Sequence, residues 1–584
     1  MKYVEYLLEL TDHFQEDDET ETSISALASI LNCSERHVKT IMQSLQNDGV
    51  IEWQTQRGRG KKPRLTVKMS RNTVLLIQAK KRVGVQQYRE AFKLMESLGR
   101  VEQEEFRKWF SNHVGLTQKR EKDAYEVDVL RYPFYETSLI MDPLWTTSRH
   151  DAHMVQQVFD RLVEYDAVSN RLNPSLARHW ESKDGKCWTF YLNKGITFHH
   201  GRELTSTDVQ LTFSRLMDEK DLFRTIDKII ICNRTVIQFM LKEVDYLFPR
   251  SLASTKASIV PVEIVTANPE KFKVFPIGSG PYKLTVHDEN LIRLEVNQSY
   301  FSERPWLDQI DIIKTPTQYK AEAGHPFLLA APDATWRQVK RVEDGASYIS
   351  FNCIKNGPIR QQTIRRAICE RLQPAAIRNE ALDKEIVATS FIWKRSEQCK
   401  LKIIVRSNDF TYKGPALRIA AQQIRPGANH LRAAKYLQGQ LHTMGIESTI
   451  DLVEASHLSS SENLAKYDLF VCGILLGEDR LLSLLATLQS SLYTIYPTVD
   501  DRTKKIIDKK VREIRLSQEE SIRWTKYFEI EEMLKSIHAI FFLNHRFHAV
   551  YEPEDSPYEG IQLDSNGRVD YRKVWRRWDN KYRI

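Results

Sequence analysis

Trp53-Gln-Thr-Gln-Arg57-Gly-Arg59-Gly-Lys61-Lys62-Pro-Arg64-Leu-Thr-Val-Lys68 carries six cations and no acid. Its flanks, Val50 to Thr55 and Arg64 to Lys68, alternate apolar and polar residues, the period of two that predicts paired strands. Gly58 and Gly60 fall where the chain must reverse, so the hairpin tip can approach another backbone closely. A charged tip of this kind, taken alone, reads as a solvated loop. What precedes it changes that reading.

Tyr3, Tyr6, Leu7, Leu10 and Phe14 recur at helical spacing, which predicts a first helix ending before an acidic loop that holds Glu16, Asp17, Asp18, Glu19 and Glu21. Thr22 or Ser23 caps a second helix, Ile24 to Leu31. Asn32-Cys33 then turns the chain, and Ser34 caps a third helix, Glu35 to Asn47, stopped by Gly49. Two helices joined by so short a turn make a helix-turn-helix, and the basic hairpin is its wing. On the third helix Val38, Ile41, Met42 and Leu45 form one stripe, and the opposite face carries Arg36, His37, Lys39, Thr40 and Gln43. These residues, with Ser34 at the helix start and Arg57, Arg59, Lys61, Lys62 and Arg64 in the wing, are the candidates for contact with double-stranded DNA. Arg36 and Lys39 suit guanine edges or phosphates, and Gln43 suits adenine. Charge in residues 1–70 is polarised: nine Lys or Arg against eleven Asp or Glu gives 9 − 11 = −2, with the bases crowded into the hairpin.

A chain of 584 residues exceeds one core and predicts several domains. Hydrophobic residues at 41% and charged residues at 28% are globular values, and the net charge of +8 is too diffuse to name a partner. Seven cysteines without a CxxC pair predict reduced thiols, with no disulfide framework and no zinc site; with no metal-ligand cluster and no cofactor loop, no metal and no cofactor is expected. No run is apolar for the ~18 residues that a membrane span needs, and the N-terminus reads as an amphipathic helix and not a signal peptide. A cytoplasmic location without membrane contact is therefore expected. Asn72 to Leu98, with Tyr88, Phe92, Met95 and Leu98 on one stripe, and Val101 to Val114 predict a helical connector. Its stripe packs within the chain or pairs two protomers as a homodimer. Gln118 to Asp123 is the expected boundary.

From Val127 onward short strands, tight turns and helices alternate, which predicts an α/β or α+β region. Val127 to Leu130 with Leu139-Ile140-Met141-Asp142-Pro143-Leu144 resembles the opening of the family 5 solute-binding proteins, the oligopeptide, dipeptide and nickel carriers of ABC importers. The likeness continues in order through Phe159-Asp160-Arg161-Leu162-Val163, Asn173 to Trp180, Asp184-Gly185, Trp188-Thr189-Phe190, Leu192 to Gly201 (LNKGITFHHG) and Thr207-Asp208-Val209. It extends through Pro276 to Tyr282 (PIGSGPY), Asn297 to Phe301, Asp308-Gln309-Ile310, Phe351-Asn352, Ile364 to Ile368 and Ala433 to Ile446, covering nearly all of residues 125–584. The glycines Gly195, Gly201, Gly278 and Gly280 read as turn residues, and adjacent His199 and His200 point to opposite faces of a strand, against a metal role. The stretch from Thr315 to Tyr348 departs from the family: Glu322 to Trp336 (EAGHPFLLAAPDATW) stands where the family carries Gly-Glu-x-Asp.

A winged helix, a helical connector and a family 5 domain in one chain resemble the SgrR group of transcriptional regulators, known for responding to sugar-phosphate stress. Leu31 to His37 (LNCSERH) and Gly58 to Thr66 (GRGKKPRLT) share that likeness. The resemblance implies three parts: an α+β winged helix-turn-helix over 1–70, a helical connector over 71–122, and a two-lobed α/β domain of the periplasmic-binding-protein type II, family 5 class over 123–584. It implies a ligand-responsive regulator that binds a small solute, whether sugar, sugar phosphate or peptide-like, in a clamshell. It further implies that the Gly473 to Asp479 loop lines the cleft, with Glu478 and Asp479 as candidates for a ligand amine, and Trp145 and Arg149 beside the opening turn as further cleft residues. The alternative is a solute-binding protein of an ABC transporter whose N-terminal domain is an interaction module. No nucleophile with a base, metal cluster or cofactor loop points to an enzyme.

Overall fold

The computed structural model describes residues 3–55, 62–111, 113–120, 126–135, 139–146, 148–219, 223–316, 336–372, 386–398, 411–425, 428–491, 493–554, 556–564 and 567–577. By contacts the chain forms two compact units. Met1–Ser138, Leu284–Glu295 and Leu307–Ala330 make the first; Leu139–Lys283, Val296–Trp306 and Ala331–Ile584 make the second. This partition interleaves along the chain, unlike the consecutive blocks 1–70, 71–122 and 123–584.

The first unit opens with α1 (Val4–His13), β1 (Glu19–Glu21), α2 (Ile24–Ile30), α3 (Glu35–Asn47), β2 (Ile51–Gln54) and β3 (Arg64–Val67). Ser23 caps α2 by accepting from the Ala26 amide, and Ser34 caps α3 by accepting from the His37 amide. Each cap is worth about 1 kcal/mol. Between them Asn32 turns the chain at φ 45°, a left-handed conformation that Asn tolerates well. Val38, Ile41, Met42 and Leu45 of α3 are fully buried with Leu7, Leu10 and Leu27. Each such side chain contributes about 1.5–3 kcal/mol.

The acidic stretch differs from the expected loop. Glu19–Glu21 is a third strand, giving the order β1-β3-β2 with Glu21 opposite Arg64. Arg64 lies 3.3 Å from Glu19 and 3.7 Å from Glu21, and Lys68 lies 3.6 Å from Asp17 and 3.3 Å from Glu52. Cross-strand charge pairing thus overrides the poor strand propensity of Glu. The acids and part of the bases adjoin rather than separate.

The connector is three helices, α4 (Arg71–Gly84), α5 (Tyr88–Glu96) and α6 (Arg100–Ser111), with a break at Gln86, φ 63°. They pack on a five-stranded sheet in which β4 (Gly115–Arg120) and β5 (Glu126–Tyr135) join the later strands Gln309–Thr315, Leu291–Val296 and Tyr282–His287. Gln118 to Arg120, expected at a boundary, is paired strand. Tyr88, Phe92, Met95 and Leu98 are buried against Phe106, Phe110, Leu291 and Ile313, so the stripe considered for a homodimer seam is already covered. Asp311, fully buried, accepts from Arg131 at 3.3 Å and from Arg293 at 2.6 and 3.1 Å, while Arg293 also donates to Gln86. This triad pins the α4–α5 turn to the sheet.

The second unit has two lobes. In one, a four-stranded antiparallel sheet (Ile226–Asn233, Val236–Leu241, Cys187–Leu192, Ala177–Glu181) shares a core with Val209, Phe213 and Leu216 of the helix Ser206–Glu219. The other is built on a mixed seven-stranded sheet. Its central strand Ser347–Phe351 is buried throughout: Tyr348 joins the core beneath the helices Arg480–Gln489, Asp501–Leu516 and Glu520–Ser536, whereas Ile349 and Phe351 join the core beneath Leu431–Thr443. Alternate residues serve opposite faces, as expected of a sheet covered on both sides.

Candidate functional site

The exposed face of α3 carries Arg36, Lys39, Thr40 and Gln43. Ser34 is spent on capping, Thr40 Oγ1 donates to the Arg36 carbonyl, and Gln43 donates to Asn47 at 3.1 Å. His37 is half-buried, with the rings of Tyr3 and Tyr6 edge-on at 5.8 Å, so it anchors α1 to α3. In the hairpin Lys62 is exposed, Arg64 is held by Glu19 and Glu21, and Arg57, Arg59 and Lys61 lie outside the described residues.

In the second unit the loop Gly473–Asp479 runs from the strand Leu469–Gly473 to the helix Arg480–Gln489. Asp479 caps that helix through the Leu482 amide and accepts two hydrogen bonds from Arg250, Nε at 2.6 Å and Nη2 at 2.7 Å. Its carboxylate is therefore taken up by the protein. Glu478 is different: half-buried, it makes no hydrogen bond or ion pair among the described residues. Burial raises its pKa; Arg161 and Arg572 oppose that shift, and Asp564 and Asp570 add to it.

Around Glu478 lies a charged cluster that the sequence reading did not single out. Arg161 and Arg572 both donate to Glu164, at 3.1 and 3.3 Å. Glu164 is held below its ordinary pKa although burial opposes this, because both guanidiniums stabilise the carboxylate. Arg161 is almost wholly buried, and its Nε and Nη1 find no hydrogen-bond partner among the described residues. Asp160, fully buried, is pushed up to about 6 by desolvation, while hydrogen bonds from Tyr300 at 2.8 Å and Ser279 at 2.9 Å limit the rise. Asp564, one of the acids acting on Glu478, pairs with His153 at 2.8 Å. The detectable signal was the run Phe159-Asp160-Arg161-Leu162-Val163-Glu164, three charges among core residues.

Trp145 is 37% exposed, with Lys273 Nζ 5.5 Å from its ring centre. Arg149 forms an ion pair with Glu343. His199 hydrogen-bonds the Gly280 carbonyl at 2.9 Å and accepts from the Gly278 amide, and burial lowers its pKa to about 4. It is a neutral structural imidazole. Gly278 and Gly280 owe their identity to close packing rather than to turn geometry, since a Cβ at Gly278 would stand 2.0 Å from the Val158 carbonyl oxygen. Among the described residues no group of three or more His, Cys, Asp or Glu could hold a metal, and no helix is long and apolar enough to cross a membrane.

The chain contains the α/β, two-lobed fold of the family 5 solute-binding proteins, and solved structures share it. A dipeptide-binding protein from Pseudoalteromonas sp. SM9913 in complex with Met-Leu superposes with TM-score 0.59 at 19% identity, over 77% of this chain and 100% of the other. The oligopeptide-binding protein AppA from Bacillus subtilis, in complex with a nonapeptide, gives TM-score 0.59 at 20% identity over 77% and 98%. Residues 171–394 match the bacterial extracellular solute-binding proteins, family 5 middle domain. Residues 2–121 match the N-terminal domain of sugar transport-related sRNA regulators, SgrR_N, so the chain combines the two. The HTH-type transcriptional regulator SgrR of Yersinia enterocolitica is a homologue, 29% identical over 62% of this chain; the match spans 63% of that regulator, under two thirds of its length. A protein of Bacillus subtilis called YhjP is 24% identical over 98% of this chain and 100% of its own.

Proposed function

We propose that the protein is a cytoplasmic, ligand-responsive transcriptional regulator. Its N-terminal module acts as a winged helix-turn-helix on double-stranded DNA, and its second unit senses a small solute. The observation that carries this reading is α3: capped by Ser34, anchored by four buried side chains, and turning Arg36, Lys39, Thr40 and Gln43 to the outside, in a chain that also holds a solute-binding fold. A recognition helix needs one anchored face and one polar face free for a major groove. Wing cations, Lys62 and the neighbouring Arg57, Arg59 and Lys61, would supply phosphate contacts, and α3 would supply discrimination.

Glu478, without a hydrogen-bond or ion-pair partner among the described residues and under the influence of Arg161 and Arg572, is the residue best placed to meet a solute. Asp479 instead holds the protein together through Arg250 and the Leu482 amide. A ligand that prefers one arrangement of the two lobes changes DNA affinity only by its differential binding energy; about 1–3 kcal/mol of coupling gives roughly 5- to 150-fold. Genomic footprinting of the bound protein tests the reading: enriched sites support it, and their absence refutes it. Co-purification with an ABC permease in the absence of such sites would favour the transporter-associated alternative.

A further inference from the structure

We infer that Arg250 is a built-in latch that joins the two lobes of the second unit through the protein's own charges. Arg250 belongs to the short helix Phe248–Ser251, whose Phe248 sits in the core of the first lobe with Leu252. Asp479 and Glu520 stand at the starts of two helices of the second lobe, Arg480–Gln489 and Glu520–Ser536. Arg250 donates to both Asp479 oxygens at 2.6 and 2.7 Å, to Glu520 at 2.7 Å and to the Tyr165 hydroxyl at 3.0 Å, with its guanidinium carbon 4.6 Å from the Tyr165 ring centre. Two carboxylates from one lobe thus converge on one guanidinium from the other.

The contact continues along the same segment. Leu247, next to the latch, is fully buried in the second lobe's core. Asp245 accepts from Arg515 at 2.6 Å, the Tyr246 amide donates to the Arg515 carbonyl at 2.9 Å, and Arg523 donates to Glu520 and to the Tyr246 carbonyl. The charges Arg250, Arg515 and Arg523 face Asp245, Asp479 and Glu520, so the joint is electrically balanced with side-chain exposure of only 7% at Arg250 and 11% at Asp479. A pair this dry is costly to break one-sidedly, because the remaining charge stays buried alone. Closure therefore has a contribution that no solute need supply, and a solute acts by adding to it or by working against it. Every residue of the latch belongs to the second unit, so its action requires no DNA.

Hydrogen exchange on the full chain without added solute tests the latch. The peptide spanning 243–247, whose Tyr246 amide bonds across the lobes, should be protected in the native protein. In Arg250→Met its exchange should rise by about tenfold or more, with the buried strand Ser347–Phe351 unchanged. The double variant Arg250→Met with Asp479→Leu removes both charges and should show the same rise. Fast exchange of 243–247 in the native protein, or no rise in Arg250→Met, would overturn the latch. A rise in the single variant alone would assign the effect to a stranded charge and overturn it equally. Loss of protection in Ser347–Phe351 would make the network a condition of folding and not a latch.

Discussion

Asp160→Asn should make the protein more stable at neutral pH, although it removes a residue held by two hydrogen bonds. Desolvation raises the folded-state pKa of this wholly buried carboxyl from 3.8 to about 6. A carboxyl with a raised folded pKa favours folding while it is protonated: the contribution is complete below about pH 3.8 and is lost as pH climbs through about 6. The full span corresponds to roughly 3 kcal/mol at 1.36 kcal/mol per pH unit. Between about pH 7.5 and about pH 5 the native protein regains about 1.4 kcal/mol of it. Asn has no charge to desolvate, can accept from one of Tyr300 and Ser279, and can donate to the other hydroxyl. The variant should therefore be about 1–3 kcal/mol more stable at about pH 7.5, after allowing for weaker hydrogen bonds, and nearly equal to the native protein near pH 4. Urea unfolding read by hydrogen exchange of residues 158–166, at several pH values, gives the difference directly. A variant that is less stable at neutral pH, with a pH slope parallel to the native one, would refute the assignment of the burden to Asp160.

Met42→Ala removes a fully buried side chain of α3 and should cost about 2–5 kcal/mol, read as a lower unfolding midpoint of the N-terminal module. Gly280→Ala places a Cβ 2.5 Å from the Val158 carbonyl carbon, so the two backbones must part; we expect a loss of about 1–3 kcal/mol measured by urea denaturation. In an anisotropy titration Lys62→Gln should weaken DNA binding similarly for all sequences and lower the salt slope by about one, whereas Arg36→Ala should alter sequence preference. Unchanged salt dependence would remove Lys62 from the interface.

Local rules made much of the first unit readable. Ser23, Ser34, Asn32 and Gly49 mark helix ends by their own chemistry, and the four-residue stripe of α3 follows from helical period, so α2, the turn and α3 emerge from one sequence. The strand Glu19–Glu21 did not, because five acids in six residues carry no strand signal until Arg64 is laid beside them. The connector's stripe was visible as amphipathic helix, but its partner, a sheet completed by strands some two hundred residues later, was not.

The solute-binding unit shows the same division. Ordered motifs carried the resemblance that named its class from sequence, since they depend on residue type and turn chemistry at short range. Which loop acid is occupied depended on tertiary structure: Glu478 and Asp479 are neighbours of like charge, and nothing local distinguishes them. Arg250, 229 residues away, reaches one and not the other. Sequence thus determined the capped and periodic elements and the family likeness, because caps, periods and turns act within a few residues. Only the tertiary fold decided the pairing of charges, because that depends on which distant segments the buried cores bring within hydrogen-bond reach.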